Sequence, residues 1–308
     1  MVGGPQTRPY RDCSRPGDED SAMRILITGH KGQLGRALQA ALVRGAPGPC
    51  GECTITGLDL PEVDITDPRA TDRAVREAEP ELVIHAAAMT DVDGCQRNAE
   101  LAFRVNVLGT QNVALACDRA GAAMVHVSTN EVFDGRSGRA YYEWDRPSPL
   151  SIYAQSKAAA EVCIQALLRR FYIVRTAWLY ARGGSNFVTK MIAAADKHGA
   201  LRVVTDEVSA PTYAPDLAEA IARLAATGHY GIYHFTNSGL CSRYEWARKI
   251  LELSGRAQVP VEPITQEQWP RPAPPPLFCP IANLTGAALG ITLRPWKEAL
   301  EAYFEGRP

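Results

Sequence analysis

The stretch Met23-Arg-Ile-Leu-Ile-Thr-Gly-His-Lys-Gly-Gln-Leu-Gly35 constrains this chain more than any other. An apolar run, Ile25-Leu26-Ile27, leads into Gly29, Gly32 and Gly35, after which Leu34, Leu38 and Leu42 recur at helical spacing. Strand, glycine turn and helix in that order open a dinucleotide-binding βαβ unit. The glycines let the backbone turn tightly and approach a pyrophosphate, and the free N–H groups at the helix start face its negative charge. The spacing is G-x-x-G-x-x-G rather than the commoner G-x-G-x-x-G, which narrows the type of unit.

The chain then alternates. Thr54–Leu58 reads as a second strand ending at Asp59, and Asp67-Pro68 opens a helix with an acidic cap and a first-turn proline. Glu81–Ala88 is a third strand, Asn98–Ala120 a continuous helix, Ala123–Val127 a fourth strand, Ile152–Arg169 a helix and Phe171–Val174 a fifth strand. Apolar strands separated by helices argue for an α/β, Rossmann-like doubly wound parallel sheet, with ligands at the carboxyl ends of its strands. Beyond Trp178 the alternation weakens. Helices are expected over 186–198, from Pro215 to about 227, over 244–254 and over 296–304, with strands at 201–204 and 231–235. Eight prolines between Val259 and Pro280 exclude a helix or a central strand there. The expected organisation is a polar tail over 1–22, a dinucleotide domain over 23–178 with segments near 211–235 returning to it, and a smaller substrate lobe over 179–308.

A net charge of −1 gives no basic field for nucleic acid, and no apolar run reaches the roughly 18–20 residues of a membrane span. The tail has no apolar core of a secretory signal, so a cytoplasmic location is the default expectation. The eight cysteines are scattered, and Cys117 and Cys163 sit in helical apolar patterns, as reduced core thiols do. Cys50-Gly-Glu-Cys53 is a lone C-x-x-C without the second ligand pair a zinc site needs, and reads as a Gly/Pro-rich loop.

The second strong pattern is Tyr153-Ala-Gln-Ser-Lys157, which places a phenol and an ammonium one helical turn apart. An ammonium beside a phenol favours the phenolate and lowers its pKa from about 10, so the pair can exchange a proton near neutrality. Alone the pattern is also that of an ordinary exposed helix face. Behind a glycine turn, and with Ser128-Thr129 ending the strand before it, it acquires a hydroxyl able to bind the substrate oxygen that Tyr153 protonates.

Together Thr28–Gly35, Ser128-Thr129 and Tyr153…Lys157 resemble an extended short-chain dehydrogenase/reductase. The motifs Gly32-Gln-Leu-Gly35, Asp64-Ile-Thr-Asp67, Ala86–Asp93, Val105-Asn106, Ser128–Gly135, Arg175–Tyr180, Ala210-Pro-Thr212 and Gly231–His234 resemble the dTDP-4-dehydrorhamnose reductase family from Met23 onward. The resemblance implies NADP(H) or NAD(H) as cofactor and a nucleotide sugar as substrate, in deoxysugar synthesis. It implies Tyr153 as general acid, Lys157 on the nicotinamide ribose and Thr129 on the reacting oxygen. Gly29, Gly32, Gln33 and Leu34 would surround the pyrophosphate, Asp64 and Ile65 would lie near the adenine, and Ala86, Ala87 and Thr90 would line the middle of the cofactor, supported by Asn106. Asn130, Glu131, Trp178 and Thr212 are the candidate substrate contacts. For Trp178 and Asn106 the alternative is a core role, and His85 and His234 read as core. Relatives described as metal-dependent dimers leave a homodimer open, but no motif here carries a metal.

The chain departs from the family's usual Ser-Thr-Asp-Tyr at Asn130-Glu131, a step towards the Thr-Asp-Glu of nucleotide-sugar 4,6-dehydratases. Asn130 cannot supply the proton of a carboxylic acid, so reduction stands ahead of dehydration or epimerisation. A regulatory subunit without turnover, like the relatives that partner a methionine adenosyltransferase, is a further alternative. Glu207 and Ser209 replace a Gln and a Gly, and extra prolines follow Arg271. Asp59 suits the ribose hydroxyls of NAD, whereas His30 and Lys31 would attract the 2′-phosphate of NADP.

Overall fold

The computed structural model describes residues 22–44 and 53–306; the polar stretch up to residue 21, the loop at 45–52 and Cys50 of the cysteine pair lie outside them. The first half runs β1 (Met23–Thr28), α1 (Gln33–Val43), β2 (Cys53–Leu58), α2 (Pro68–Ala78), β3 (Leu82–His85), α3 (Val92–Arg97), α4 (Ala99–Phe103), a π-helical turn (Arg104–Gly109), α5 (Thr110–Ala120), β4 (Ala123–Thr129), α6 (Ile152–Leu167) and β5 (Phe171–Thr176). The second half runs β6 (Leu179–Tyr180), α7 (Phe187–His198), β7 (Leu201–Val204), β8 (Val208–Ser209), β9 (Thr212–Tyr213), α8 (Ala214–Ala225), β10 (Gly231–His234), β11 (Cys241–Ser242), α9 (Arg243–Leu253), β12 (Val261–Ile264), α10 (Thr285–Ala288) and α11 (Trp296–Glu305).

The strands near the N-terminus are apolar on both faces because helices cover both. They form one parallel sheet in the order β10-β5-β4-β3-β1-β2, so β10 returns late in the chain to pair with β5. One face buries Leu34, Leu38 and Leu42 of α1 together with Leu217 and Ile221 of α8. The other buries Val75 of α2, Val113 and Cys117 of α5 and Ile164 of α6. The order changes direction between β1 and β3, the usual position of a ligand crevice in such sheets. The parallel register sets Thr28 beside His85, His85 beside His126 and Thr129 beside Thr176, so the carboxyl ends of four strands form one ledge.

Asp67 caps α2 by accepting from the backbone N–H groups of Arg69 and Ala70. The continuous helix expected over 98–120 is interrupted. The backbone widens into a π turn at Arg104–Gly109, a distortion that often marks a functional position. Within it, buried Asn106 accepts from Met89 N at 2.8 Å and donates to Met89 O at 3.1 Å and to Ser156 Oγ at 3.0 Å. No feature of helical periodicity encodes those partners, because they lie on other elements.

A separate aromatic core of Tyr180, Trp246, Trp296 and Tyr303 joins β6, α9 and α11, β7 and β12 pack in a further cluster with Ala247 and Leu251 of α9, and the short strands pair as β6–β9, β8–β11 and β7–β12. The proline-rich segment contributes β12 as one strand of a two-stranded pair with β7, where the missing N–H of Pro263 is tolerated, and one turn of 3-10 helix at Gln266–Gln268. Cys117 is buried and unpaired, as are Cys95, Cys241 and Cys279. Among the described residues no helix is long and apolar enough to cross a membrane.

Candidate active site

A cleft of about 720 Å³ opens along the carboxyl ends of the sheet strands. Its first wall is the glycine turn. Gly29 sits at φ +70, and a Cβ there would come within 2.7 Å of Ala87 N; a Cβ on Gly35 would come within 2.2 Å of Gly29 O. Gly29 N donates to Leu58 O at 2.9 Å, which ties the exit of β1 to the exit of β2. Helix α1 begins at Gly32 with no side-chain cap and no acidic residue in its first turn. Its first N–H groups, beside Gln33 and Leu34 in the cleft wall, therefore suit an anionic pyrophosphate.

The Gln33 side chain does something the motif does not reveal. It accepts from Ala181 N at 3.1 Å and Asn186 Nδ2 at 2.9 Å, and donates to Ser185 O at 3.3 Å. It thus staples the glycine turn to the segment before α7, leaving its backbone to face the cleft. Beyond it, Asp59, Asp64 and Ile65 line the far end and Ala86, Ala87 and Thr90 the middle. The loop carrying Ala86–Thr90 is held from behind by Asn106. His85 beneath it bonds Thr28 Oγ1 at 2.7 Å and Thr110 Oγ1 at 3.0 Å, and burial pushes its pKa down to about 3, so it is a neutral structural ring.

Thr129, Tyr153 and Lys157 all line the cleft. Ser151 caps α6 through Ala154 N, which sets the helix start at Ile152, one residue before Tyr153. The Lys157 ammonium donates to Val127 O at 2.7 Å and contacts buried His126 Nε2 at 3.1 Å. Burial lowers its pKa to about 8, opposed by the Glu161 carboxylate one turn on. Burial depresses His126 well below its usual range, with the Lys157 charge adding to that, so it is the neutral acceptor.

One expectation is corrected here. The phenol of Tyr153 is not poised towards ionisation: burial raises its pKa, the Glu131 charge raises it further, and only a hydrogen bond with Thr129 pulls it down. Lys157 faces β4 rather than the phenol, so desolvation prevails over the attraction that helical spacing alone suggested.

The inner end of the cleft holds Glu131, Trp178, Phe187, Arg243 and Trp246. Trp178 adopts φ +45, a left-handed backbone uncommon for a bulky residue, and stacks at 5.7 Å on buried Trp246, which in turn stacks on Phe187 at 4.6 Å. The Arg243 guanidinium lies 3.7 Å from the centre of the Trp178 ring and pairs with Glu207 at 3.2 Å. Burial pushes Glu131 up to about 7, partly offset by the Arg243 and Arg271 charges and reinforced by Glu207 and Asp93.

Two candidate contacts have partners the motif does not reveal. Asn130 lines the cleft, and its buried amide donates to Cys279 O at 2.8 Å and contacts Ser209 Oγ at 3.3 Å, which anchors the proline-rich segment. Thr212 is fully buried and absent from the cleft wall; its N–H bonds Trp178 O at 3.2 Å and so helps hold the tryptophan. Sequence reasoning missed Arg243, Trp246 and Phe187. Their local signals were the capping boxes that start the two helices, Asn186/Thr189 for α7 at Phe187 and Ser242/Glu245 for α9 at Arg243.

The family described as RmlD substrate binding domain matches residues 23–307. The dTDP-4-dehydrorhamnose reductase of Mycobacterium tuberculosis is 40% identical over 284 residues, covering 90% of this chain and 91% of that one. A solved dTDP-4-dehydrorhamnose reductase from Bacillus anthracis, in complex with NADP, superposes with TM-score 0.88 at 36% identity, covering 93% of this chain and 100% of that one. Its orthologue from Clostridium acetobutylicum gives 0.86 at 38%, covering 92% and 99%.

Proposed function

The chain belongs to the dTDP-4-dehydrorhamnose reductase family, and from that premise we propose that it reduces dTDP-4-dehydrorhamnose to dTDP-rhamnose with NADH or NADPH. The single observation carrying this reading is the presence of Thr129, Tyr153 and Lys157 together in the wall of the cleft that the glycine turn opens. The nicotinamide, when bound, supplies the hydride to the keto carbon. Tyr153 donates its proton to the ketone oxygen, a role suited by a phenol whose pKa is raised and which is protonated at neutral pH. Thr129 hydrogen-bonds the Tyr153 phenol and can donate its single O–H to the phenolate left behind. Lys157, largely charged below about pH 8, holds the ribose hydroxyls. The uncapped start of α1 holds the pyrophosphate, and the inner end lined by Trp178 and Arg243 receives the sugar.

Dehydration is disfavoured by more than the identity of Asn130. Its amide is committed to Cys279 O and Ser209, leaving no acid at that position. Incubation of the purified protein with the ketosugar is expected to consume NADH or NADPH and yield the 4-hydroxy sugar. Tyr153→Phe should lower kcat by about 10²–10⁴-fold while leaving cofactor binding intact. An unchanged rate in that variant would overturn the assignment.

A further inference from the structure

We infer that this site has a second activity: Glu131 exchanges a proton on a carbon flanking the C4 ketone, so that the bound ketosugar enolises reversibly as well as accepting hydride. The inference rests on the reductase reading of the same cleft. Glu131 belongs to the single 3-10 turn Asn130–Val132 that follows β4. Its N–H donates to Thr129 Oγ1 at 3.2 Å, and Thr129 in turn bonds the Tyr153 phenol. The turn is pinned from behind, Asn130 Nδ2 donating to Cys279 O at 2.8 Å and Cys279 Sγ to Asn130 O at 3.1 Å. One held segment therefore carries both this carboxyl and the hydroxyl bonded to the proton donor, and both residues line the cleft.

The carboxyl is not used to hold the structure. The two carboxylates whose charges reach it are: Glu207 pairs with Arg243 at 3.2 Å, and Asp93 accepts from Arg271 Nε and from Ala273 N, both at 3.2 Å. Each nearby cation is thus matched by a carboxylate of its own, whereas no hydrogen bond holds the Glu131 side chain among the described residues. A carboxyl kept from water without partners costs stability, and such groups persist where chemistry uses them. Burial, with these charges around it, holds its pKa at about 7, where a carboxyl can both take and return a proton under neutral conditions. Its charge acts on Tyr153, the group that holds the ketone oxygen.

The step balances without a further reactant. The Glu131 carboxylate takes the proton from C3 or C5, the carbons flanking the ketone. The C–H electron pair becomes a C=C bond, and the carbonyl π pair moves to oxygen, which takes the Tyr153 proton. The reverse sequence returns a proton to the same carbon. A 6-deoxy sugar has no hydroxyl at C6 to expel, so enolisation towards C5 ends in exchange and not in loss of water.

Proton NMR of dTDP-4-dehydrorhamnose in deuterium oxide, with the full chain and either oxidised cofactor, neither of which can supply hydride, tests this apart from reduction. The signal of the hydrogen on C3 or C5 should fade at least about 10²-fold faster than without the protein. The protein-dependent rate should rise through pH 7 and level off above it, as the carboxylate form accumulates. Glu131→Gln should lower that rate about 10²–10⁴-fold, and Glu131→Asp, which keeps a carboxylate, should retain part of it. Binding of the oxidised cofactor within about twofold of wild type checks that each variant is folded. Reduction of the ketosugar without protein-dependent exchange, or exchange that survives Glu131→Gln in the folded protein, would overturn the inference and leave the reductase reading standing. Absence of both reduction and exchange would remove the two together.

Discussion

The two ends of the cleft are built on different principles. The cofactor end is made of backbone: a glycine turn, the uncapped start of α1 and a loop of small residues held from behind by Asn106. Nearly all of it comes from three short stretches that each follow a strand. The sugar end is made of side chains from segments remote in sequence, with Trp178, Glu207 and Arg243 brought together by α9 and the β8–β11 pair. Backbone recognition tolerates little variation in residue type, because any Cβ at Gly29 or Gly35 collides with neighbouring backbone. Side-chain recognition can be altered one charge at a time. A cofactor site of this kind is shared by many chemistries, while the inner end carries what is particular to this chain.

One buried ion pair ties α6 to β5, and breaking it should produce the largest effect on stability. Glu161 on α6 pairs with Arg175 on β5 at 2.6 and 3.0 Å, both side chains only 2% exposed, and accepts from Ser128 Oγ at 2.5 Å. Glu161→Ala leaves the Arg175 charge buried without its partner, at a cost of about 3–5 kcal/mol. Urea denaturation should show this loss, with Lys157 and Thr129 disturbed together. A loss below about 1 kcal/mol would mean that this pair does not hold α6 to β5.

A smaller and more selective effect is expected at Arg243. Arg243→Ala removes a stacked, paired guanidinium and leaves Glu207 and Glu131 less compensated, worth about 2 kcal/mol, or roughly thirtyfold in KM for the ketosugar. Affinity for NADH should stay within about twofold, since the residue belongs to the other end. Arg243→Lys should recover only part of the loss, because an ammonium keeps the charge without the planar face. Equal damage to cofactor and sugar binding would collapse the distinction between the ends.

The same division explains what could be read in advance. Gly29–Gly35, Ser128-Thr129 and Tyr153…Lys157 are contiguous or nearly so, and each sits where a strand ends, so sheet topology alone carries them into one cleft. The π turn was not legible, because what accompanies it is the bond between Asn106 and Met89, a contact between elements. Thr212 was misplaced because the Ala-Pro-Thr motif says nothing about whether its hydroxyl or its backbone is used; here the backbone holds Trp178. Arg243 had no motif at all. Its role arises from a Trp, a Phe and a Glu that meet only after folding. Tyr153 lines the cleft, but its acidity departs from what the spacing suggests, because spacing reports proximity along a helix and not desolvation.

The smallest expected effect is also the most discriminating. Burial raises Glu131 from an ordinary 4.5 to about 7, and Tyr153 feels its charge. Between those pH values the unfolded chain has released this proton and the folded chain has kept it. Stability should therefore fall as pH rises from about 4.5 to 7, by roughly 1–2 kcal/mol once partial solvent access is allowed for. Glu131→Gln cannot ionise, so that part of the pH dependence of Tm should disappear. The carboxyl can donate a hydrogen bond only while protonated, so KM for the ketosugar should change across pH 7 in the wild type and stay flat in the variant, with Kd for NADH unaffected in both. A pH step in NADH binding that vanished in Glu131→Gln would place this carboxyl with the cofactor. A pH step confined to the sugar would establish that the inner end alone is tuned by charges peculiar to this chain.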